Sequence, residues 1–252
     1  MLNQFSRTEL IFGRENMQKV YASRVAVFGI GGVGGYVVEA LVRSGVGTLD
    51  IIDDDKVCLT NLNRQLYATQ DTIGQYKVDV AEARCKAINP DVIIHKYKTF
   101  YMPETSNQFD FSQYDYVVDC IDTVSGKVQL VLQAQKSNTP IICCMGAGNK
   151  TDPSKLEVTD IFKTSVDPLA RVMRREMKNR GIKHLKVVYS KEEPVEVDEE
   201  IEALCKEESA DAADSQRSGA PKKSIPGSNA FVPPAAGLLL AAEVIKDLIK
   251  RE

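Results

Sequence analysis

Four closely spaced glycines form the segment of this chain best suited to bind a ligand. They follow an apolar run at 24–28 and precede a stretch rich in valine, alanine and leucine. The four are Gly29, Gly31, Gly32 and Gly34. Glycine lets a backbone approach a phosphate, and the N terminus of a following helix supplies N–H groups and positive potential. The spacing satisfies G-x-G-x-x-G and predicts a nucleotide-binding turn, with a turn that binds nothing as the alternative. No GK[ST] follows, which excludes a P-loop.

Charged side chains beyond the next apolar run indicate which nucleotide would bind. Asp53 ends the run at 49–52, where an acid that binds a ribose is expected, and NAD would be the default ligand. The chain then adds an acid, two amides and two cations, namely Asp55, Asn61, Gln65, Arg64 and Lys77. A triphosphate needs fixed cations around its oxygens, whereas a dehydrogenase has no use for them. The set therefore predicts ATP.

Asp122 is the candidate magnesium ligand, because it follows the apolar run at 116–120, at the sheet edge where ligands bind. Taken singly, each residue has an ordinary alternative. Arg64 could form a surface salt bridge, and Asp122 could cap a helix. The joint pattern is what favours a triphosphate site.

Apolar runs that alternate with helical stretches must position these residues. Strands are predicted at 24–28, 49–52, 92–94, 116–120 and 141–144, and helices at 34–44, 77–88 and 127–136. This alternation is typical of an α/β fold with a doubly wound, mostly parallel sheet. The second half is less regular, with strands predicted at 156–160 and 185–189 and helices at 168–179 and 234–251.

We expect a single domain over 1–252, with a nucleotide-binding half at about 20–150 and a substrate-facing half at about 151–252 packed on it. The second half includes a mobile acidic loop predicted at 192–228.

The charge of the 252-residue chain, 32 basic against 35 acidic residues, hides two opposite segments. Residues 171–191 hold eight basic residues and one acid, and residues 192–214 hold eleven acids and one base. A basic cluster binds nucleic-acid phosphates or forms a solvated helix face. The net charge of −3 therefore does not exclude a nucleic-acid partner.

Targeting signals and cysteine spacing indicate the compartment. The N terminus lacks the apolar core of a signal peptide, and no stretch reaches the roughly 20 apolar residues of a membrane span. The six cysteines show no CxxC spacing, which favours reduced thiols in a cytoplasmic protein and argues against structural zinc. Cys205 lies in the acidic segment, where carboxylates raise a thiol pKa, so we expect no catalytic role for it.

Residues 5–150 resemble the ubiquitin-activating-enzyme superfamily in its small bacterial form. The matched pattern runs G-x-G-G-x-G, then D-x-D-x-V-x-x-x-N-x-x-R-Q, then G-x-x-K and D-x-x-D. Its positions are Gly29, Gly31, Gly32, Gly34, Asp53, Asp55, Val57, Asn61, Arg64, Gln65, Gly74, Lys77, Asp119 and Asp122. The resemblance implies that Asp53 binds the ribose and that Asn61, Arg64 and Lys77 hold the phosphates. It also implies that Asp122 serves magnesium and the phosphates.

The same resemblance implies a homodimer in which an N-terminal arginine reaches the partner subunit's site, and Arg7 occupies that place. The implied catalytic set is therefore Arg7, Arg64, Lys77 and Asp122.

The second half resembles one branch, the tRNA threonylcarbamoyladenosine dehydratases, at 146–153, 158–164, 167–170, 188–194 and 227–237. These enzymes use ATP to cyclise threonylcarbamoyladenosine in tRNA to a hydantoin. This resemblance favours tRNA as the partner of the basic segment, through Arg171, Arg174, Arg175 and Lys178.

Three alternatives remain open. One is an adenylyltransferase for the C terminus of a ubiquitin-like sulfur carrier, which would bring sulfur-transfer proteins as partners. The others are an NAD-dependent dehydrogenase and a nucleotide-sensing scaffold without activity.

Overall fold

One seven-stranded sheet organises the chain. The structure is a computed structural model that describes residues 2–212 and 226–250. The strands are β1 (Arg24–Phe28), β2 (Thr48–Ile52), β3 (Ile93–Tyr97), β4 (Tyr116–Asp119), β5 (Ile141–Cys144), β6 (Leu156–Asp160) and β7 (Lys186–Ser190). Their order in the sheet is β3-β2-β1-β4-β5-β7-β6. All neighbours pair in parallel except β6 and β7, so the predicted α/β fold with a mostly parallel sheet is confirmed.

The helices of the described ranges cover both faces of this sheet. They are α1 (Ser6–Phe12), α2 (Arg14–Ala22), α3 (Gly34–Ser44), α4 (Lys77–Ile88), α5 (Val124–Ser137), α6 (Pro168–Asn179), α7 (Glu199–Ala212) and α8 (Val232–Lys250). The predicted bounds of α3, α4 and α6 are confirmed. The helix predicted at 127–136 begins three residues earlier, at Val124, and the last helix begins at Val232 with prolines in its first turn, where proline is tolerated. Residue 251, its predicted end, lies outside the described ranges.

The alternation of side chains along the central strands builds a core on each face. Val27 packs on one face with α3 and α8, and Phe28 packs on the other with aromatic residues such as Phe109. The first of these cores combines residues from both halves of the chain, including Leu41 of α3, Val188 of β7 and Leu240 of α8. Both halves are therefore joined by the same buried apolar surface.

Part of the acidic segment forms helix α7. The prediction of a loop over all of 192–228 is therefore wrong. Helix α7 begins at Glu199, and the Oδ1 atom of Asp198 accepts the backbone N–H groups of Glu200 and Ile201 at 3.0 and 3.1 Å. Acids in a first turn also complement the helix dipole, so Glu199, Glu200 and Glu202 stabilise this helix start. Residues 213–225 of the predicted loop lie outside the described ranges.

None of the helices within residues 2–212 and 226–250 is long and apolar enough to cross a membrane.

Candidate functional site

The glycine turn joins β1 to α3 where the parallel strands have their carboxyl ends. We call this side of the sheet the carboxyl edge and the opposite side the amino edge. Gly29 has a φ of +81°, a conformation that other residues rarely adopt. A Cβ on Gly34 would lie 1.8 Å from the carbonyl oxygen of Gly29, so only glycine fits where the helix starts. The first turn of α3 therefore opens on this edge with its N–H groups and the positive end of its dipole.

Asp53 ties the glycine turn to the end of β2. Its Oδ2 accepts the N–H of Ile30 at 2.8 Å, and its Oδ1 accepts the N–H of Asp55 at 2.9 Å. Burial raises the pKa of this carboxyl, whereas the charge of Lys77 opposes the rise. The structure thus brings together the ribose-binding candidate and the phosphate-binding turn.

Lys77 begins α4 and reaches back to the same acids. Its Nζ lies 2.9 Å from Oδ2 of Asp55 and 3.9 Å from Oδ1 of Asp53. Burial lowers the pKa of Lys77, but the two carboxylates raise it by more, so the pKa lies above its ordinary value. The ammonium is therefore charged at neutral pH and stands beside the glycine turn, as a phosphate-binding cation must.

Arg64 and Gln65 follow a short 3-10 helix (Leu59–Asn61) and lie against the glycines. The Cγ of Arg64 is 3.3 Å from the position that a Cβ on Gly32 would take, and the Nε2 of Gln65 is 3.6 Å from that of Gly31. The guanidinium donates to the carbonyl of Thr60 at 2.9 Å and to Oδ1 of Asn63 at 2.8 Å. Burial lowers the pKa of Arg64, although the group stays charged at neutral pH.

Asn61 is buried and supports this 3-10 helix. Its side-chain oxygen accepts the N–H of Cys58 at 3.3 Å. The amide therefore has a local partner, within the same segment as Arg64.

A buried ion pair supports the loop that carries Asp122. Asp119, at the end of β4, and Lys127 of α5 have no exposed side-chain surface and lie 2.9 Å apart. Lys127 also donates to the carbonyl of Ile121 at 3.0 Å, and burial lowers its pKa while Asp119 raises it, to about 12. Asp122 itself is exposed at the carboxyl edge. The role of Lys127 was not predicted, although a lysine within an apolar helical stretch could have indicated a buried charge.

Three consecutive acids offer a second group of metal ligands. Carboxylate oxygens of Asp53, Asp54 and Asp55 lie within 4.8 Å of one another. Oxygen ligands of this kind suit Mg²⁺, which usually takes one or two carboxylates and the phosphates of its nucleotide. The sequence predicts only Asp122 as a metal ligand.

Arg7 lies far from the glycine turn of its own chain. It is exposed on α1, two residues after Phe5, whose ring is 3.4 Å from the position of a Cβ on Gly45. Gln4 donates to Oδ1 of Asn89, which follows α4. Gly45 and Asn89 end helices that begin at the carboxyl edge, so α1 starts at the opposite edge of the sheet. A single chain therefore does not bring Arg7 to its own nucleotide site.

Helix α6 carries the four predicted tRNA contacts and buries its apolar side. Arg171, Arg175 and Lys178 are exposed. Arg174 instead donates to the carbonyl and hydroxyl oxygens of Thr164 at 2.6 and 2.7 Å.

The basic segment at 171–191 does not form one positive surface, because some of its cations pair with carboxylates on other elements. Lys186 pairs with Asp247 at 2.7 Å and with Glu243 at 3.3 Å, and Lys191 pairs with Glu157. The exposed positive charge is concentrated on α6. Counting all eight basic residues of 171–191 therefore overestimates the exposed charge of this segment.

Two buried charged residues after β5 were also missed. Asp167 accepts the N–H of Ala170 at 2.7 Å and so caps α6, a role that its position before Pro168 could have signalled. Lys150 donates to the carbonyl of Glu192, whose carboxylate accepts the N–H of Thr151 at 2.9 Å. These contacts hold the start of the acidic segment against the loop after β5.

A cavity of about 340 Å³ lies between this loop and the acidic segment. Its lining includes Lys150, Val197, Glu202, Cys205 and Asn229. Cys205 therefore lines a space together with acidic residues, in agreement with its position in the acidic segment. A second cavity, of about 610 Å³, lies between α5 and α6, with Val128, Leu132 and Arg175 in its lining.

Comparison with known proteins identifies similar chains. The model of the ThiF family matches residues 5–252. The tRNA threonylcarbamoyladenosine dehydratase of Bacillus subtilis is 44% identical over 251 residues, which cover 99% of this chain and 96% of that protein. The structure of the Escherichia coli tRNA N6-threonylcarbamoyladenosine dehydratase in complex with ATP superposes with a TM-score of 0.83 at 29% identity, over 98% of this chain and 93% of the other.

An adenylyltransferase and sulfurtransferase is similar over a shorter region. The adenylyltransferase and sulfurtransferase Uba4 of Ogataea parapolymorpha is 33% identical over 141 residues, which cover 56% of this chain and 36% of that protein.

Proposed function

The chain belongs to the ThiF family, and from that membership we propose that it is an ATP-dependent dehydratase of threonylcarbamoyladenosine in tRNA. The observation that carries the proposal is the 44% identity to a dehydratase of this substrate along 99% of the chain. The nucleotide site supports it, because the glycine turn, Asp53, Arg64 and Lys77 are adjacent, as an adenylating enzyme requires. The proposed enzyme is one adenylation domain that acts in the cytoplasm, where its tRNA substrate would be.

The reaction begins at the free carboxylate of the threonylcarbamoyl group. A carboxylate is a poor acyl donor, because its leaving group would be an oxide. Its oxygen attacks the α-phosphate of ATP, which forms an acyl-adenylate and releases pyrophosphate. The ureido nitrogen then attacks the activated carbonyl, loses its proton and expels AMP, which carries away the carboxylate oxygen. The product is a hydantoin that has lost one water overall.

The residues of the glycine turn hold the nucleotide in this proposal. Asp53 accepts the ribose hydroxyls, and the four glycines with the first turn of α3 contact the phosphates. Asp55, Asn61 and Gln65 complete the wall of the site. Arg64 and Lys77 neutralise the charge that develops on the α-phosphate, the kind of interaction that is strongest in a dry and preorganised site.

Asp122 is the proposed magnesium ligand, because it is a carboxylate at the sheet edge where the phosphates would lie. When bound, magnesium neutralises phosphate charge and helps pyrophosphate to leave. The oxygen-only donor set around the site, which includes Asp54 and Asp55, fits this ion.

A homodimer completes the site in this proposal. Arg7 lies on α1, which starts at the edge of the sheet opposite to its own glycine turn. The same seven-residue helix carries two exposed apolar side chains. These are Leu10, 85% exposed, and Ile11, 78% exposed. Packing α1 on a second copy would bury both and would carry Arg7 to the partner's nucleotide.

The tRNA contacts are proposed on α6, through Arg171, Arg175 and Lys178. Arg174 supports them by holding the loop at Thr164 in place. The positive surface provides phosphate contacts that orient the RNA without reading its sequence.

The alternative is activation of a ubiquitin-like sulfur carrier, with sulfur-transfer proteins as partners. We prefer the dehydratase, because the similarity to Uba4 covers only 56% of the chain.

Mass spectrometry of tRNA nucleosides tests the choice. Incubation with ATP and magnesium should remove the mass of one water from threonylcarbamoyladenosine. A carrier activator would instead leave the nucleoside intact and exchange pyrophosphate only with a carrier protein.

A further inference from the structure

Phe231 is the most exposed phenylalanine of the chain, and neither the fold nor the nucleotide site uses its ring. Its exposed fraction is 62%, although the three residues that follow it are buried. An exposed aromatic ring forgoes the stabilisation that burial would give it. A flat ligand that stacked on this ring would bury its exposed apolar surface.

The segment that carries Phe231 is anchored at both ends to the nucleotide site. Asn63, next to Arg64, donates to the carbonyl of Ser228 at 2.9 Å. The Cβ of Pro233 lies 3.4 Å from the position that a Cβ on Gly32 would take. Phe231 therefore lies between these two contacts along the chain, two residues before the proline that packs against Gly32.

The backbone of Phe231 is held in place while its ring is exposed. Asn229 caps α8 by accepting the N–H groups of Phe231 and Val232, each at 3.0 Å. The carbonyl of Phe231 accepts the N–H of Ala235 at 3.1 Å. A ring on such a fixed backbone loses little freedom when a flat ligand stacks on it.

The proposed substrate carries a flat adenine ring close to its reacting carboxylate. Its reacting carboxylate is joined to the adenine ring by a short chain that spans about 6 Å when extended. When the carboxylate contacts the α-phosphate at the glycine turn, the adenine must therefore lie at the rim of that turn. Bases of RNA loops are commonly recognised by stacking on aromatic side chains.

We propose that Phe231 stacks on the base of the modified adenosine and so positions its threonylcarbamoyl group for adenylation. The inference rests on the proposed dehydratase function and adds a residue that binds the substrate base. The segment Pro226 to Pro233 contains no carboxylate of its own, although Asn229 lines a cavity together with Glu202.

Three variants of Phe231 separate stacking from a general apolar contact. Base stacking on an aromatic residue changes affinity by about 10- to 100-fold. Phe231→Ala and Phe231→Leu should therefore raise the KM for the modified tRNA by that factor, with less effect on kcat, whereas Phe231→Trp should retain the wild-type value. The Kd for ATP alone should stay unchanged in all three. The matched control is Ile93→Ala, because Ile93 is 53% exposed at the amino end of β3, on the opposite edge.

Binding of a modified anticodon-loop hairpin, followed by fluorescence without ATP, distinguishes the two proposals. If wild-type enzyme leaves the nucleoside intact, the dehydratase function fails, yet the hairpin affinity still reports on Phe231. Wild-type KM in Phe231→Ala, or full activity in Phe231→Leu, would overturn stacking. So would a loss of self-association in Phe231→Ala by sedimentation, since the ring would then contact a second copy.

Discussion

Arg64 and Lys77, the two cations beside the glycine turn, are held by different kinds of partner. The guanidinium bonds to Thr60 and Asn63, which are neutral groups, and its stem lies against Gly32. Lys77 by contrast is paired with Asp55. Because neutral partners compete less with a phosphate than a carboxylate does, we expect Arg64 to turn towards the phosphates more readily than Lys77.

Replacing Arg64 should lower the rate more than it lowers nucleotide binding. Cations that contact a transferring phosphoryl group are worth about 10³- to 10⁵-fold in comparable enzymes, so Arg64→Ala should lose activity on that scale. Single-turnover cyclisation and the Kd for ATP measure the two effects separately. Arg43→Ala, at the far end of α3, is the control. Near-normal cyclisation by Arg64→Ala with ATP bound would refute the assigned role.

Breaking the pair of Asp119 and Lys127 should destabilise the fold. Lys127→Met leaves a buried carboxylate without its cation, which costs about 3–5 kcal/mol. Urea denaturation measures the loss of free energy of unfolding. The double variant Asp119→Asn with Lys127→Met removes both charges and should recover part of that stability. A single variant that loses less than about 1 kcal/mol would mean that the pair behaves like a surface pair.

Among the elements, the loops at the carboxyl edge of the sheet carry the candidate nucleotide-binding residues. The glycine turn follows β1, Asp53 follows β2, and the loop with Asp122 follows β4. Parallel strands end at the same edge, so residues distant in the chain converge there. Helix α6 is placed by its cap at Asp167 and buries Met173 and Met177, which leaves its charged side in solvent.

The charged side of α6 should determine how tRNA affinity depends on salt. Reversing Arg175 and Lys178, as Arg175→Glu and Lys178→Glu, removes two phosphate contacts and should reduce the salt slope of binding by about 2. Affinity measured across a salt series gives this slope. Lys136→Glu, an exposed reversal in the last turn of α5, is the matched control. Unchanged affinity and slope would remove α6 from the RNA interface.

At the scale of the whole molecule, one chain supplies all of the proposed site except Arg7. The start of α1 lies at the amino edge of the sheet, and the glycine turn lies at the carboxyl edge. A second subunit is thus the simplest source of this arginine. The exposed side chains of Leu10 and Ile11 beside it would be buried by the same contact.

Mixing two inactive variants tests this arrangement. If Arg7 acts on the partner's nucleotide, a dimer of one Arg7→Ala chain and one Arg64→Ala chain contains one intact site. An equal mixture should then recover about a quarter of wild-type activity after subunit exchange. The separate variants give the background. If the mixture stays at that background while mixed dimers are present, Arg7 does not act across the interface.

Local features could be predicted from the amino-acid sequence: the alternating strands and helices, the glycine turn and the charged residues that follow it. These features are local, since a strand, a turn and a helix lie within a few residues of one another and carry their own periodicity. Contacts between residues distant in the chain could not be predicted in this way. The tertiary structure pairs Lys127 with Asp119 and Lys186 with Glu243 and Asp247. It also places Arg7 at the opposite edge and sets Pro233, two residues after Phe231, against Gly32. The physical reason is that such contacts depend on how separate elements pack together, and neither spacing nor composition records that packing.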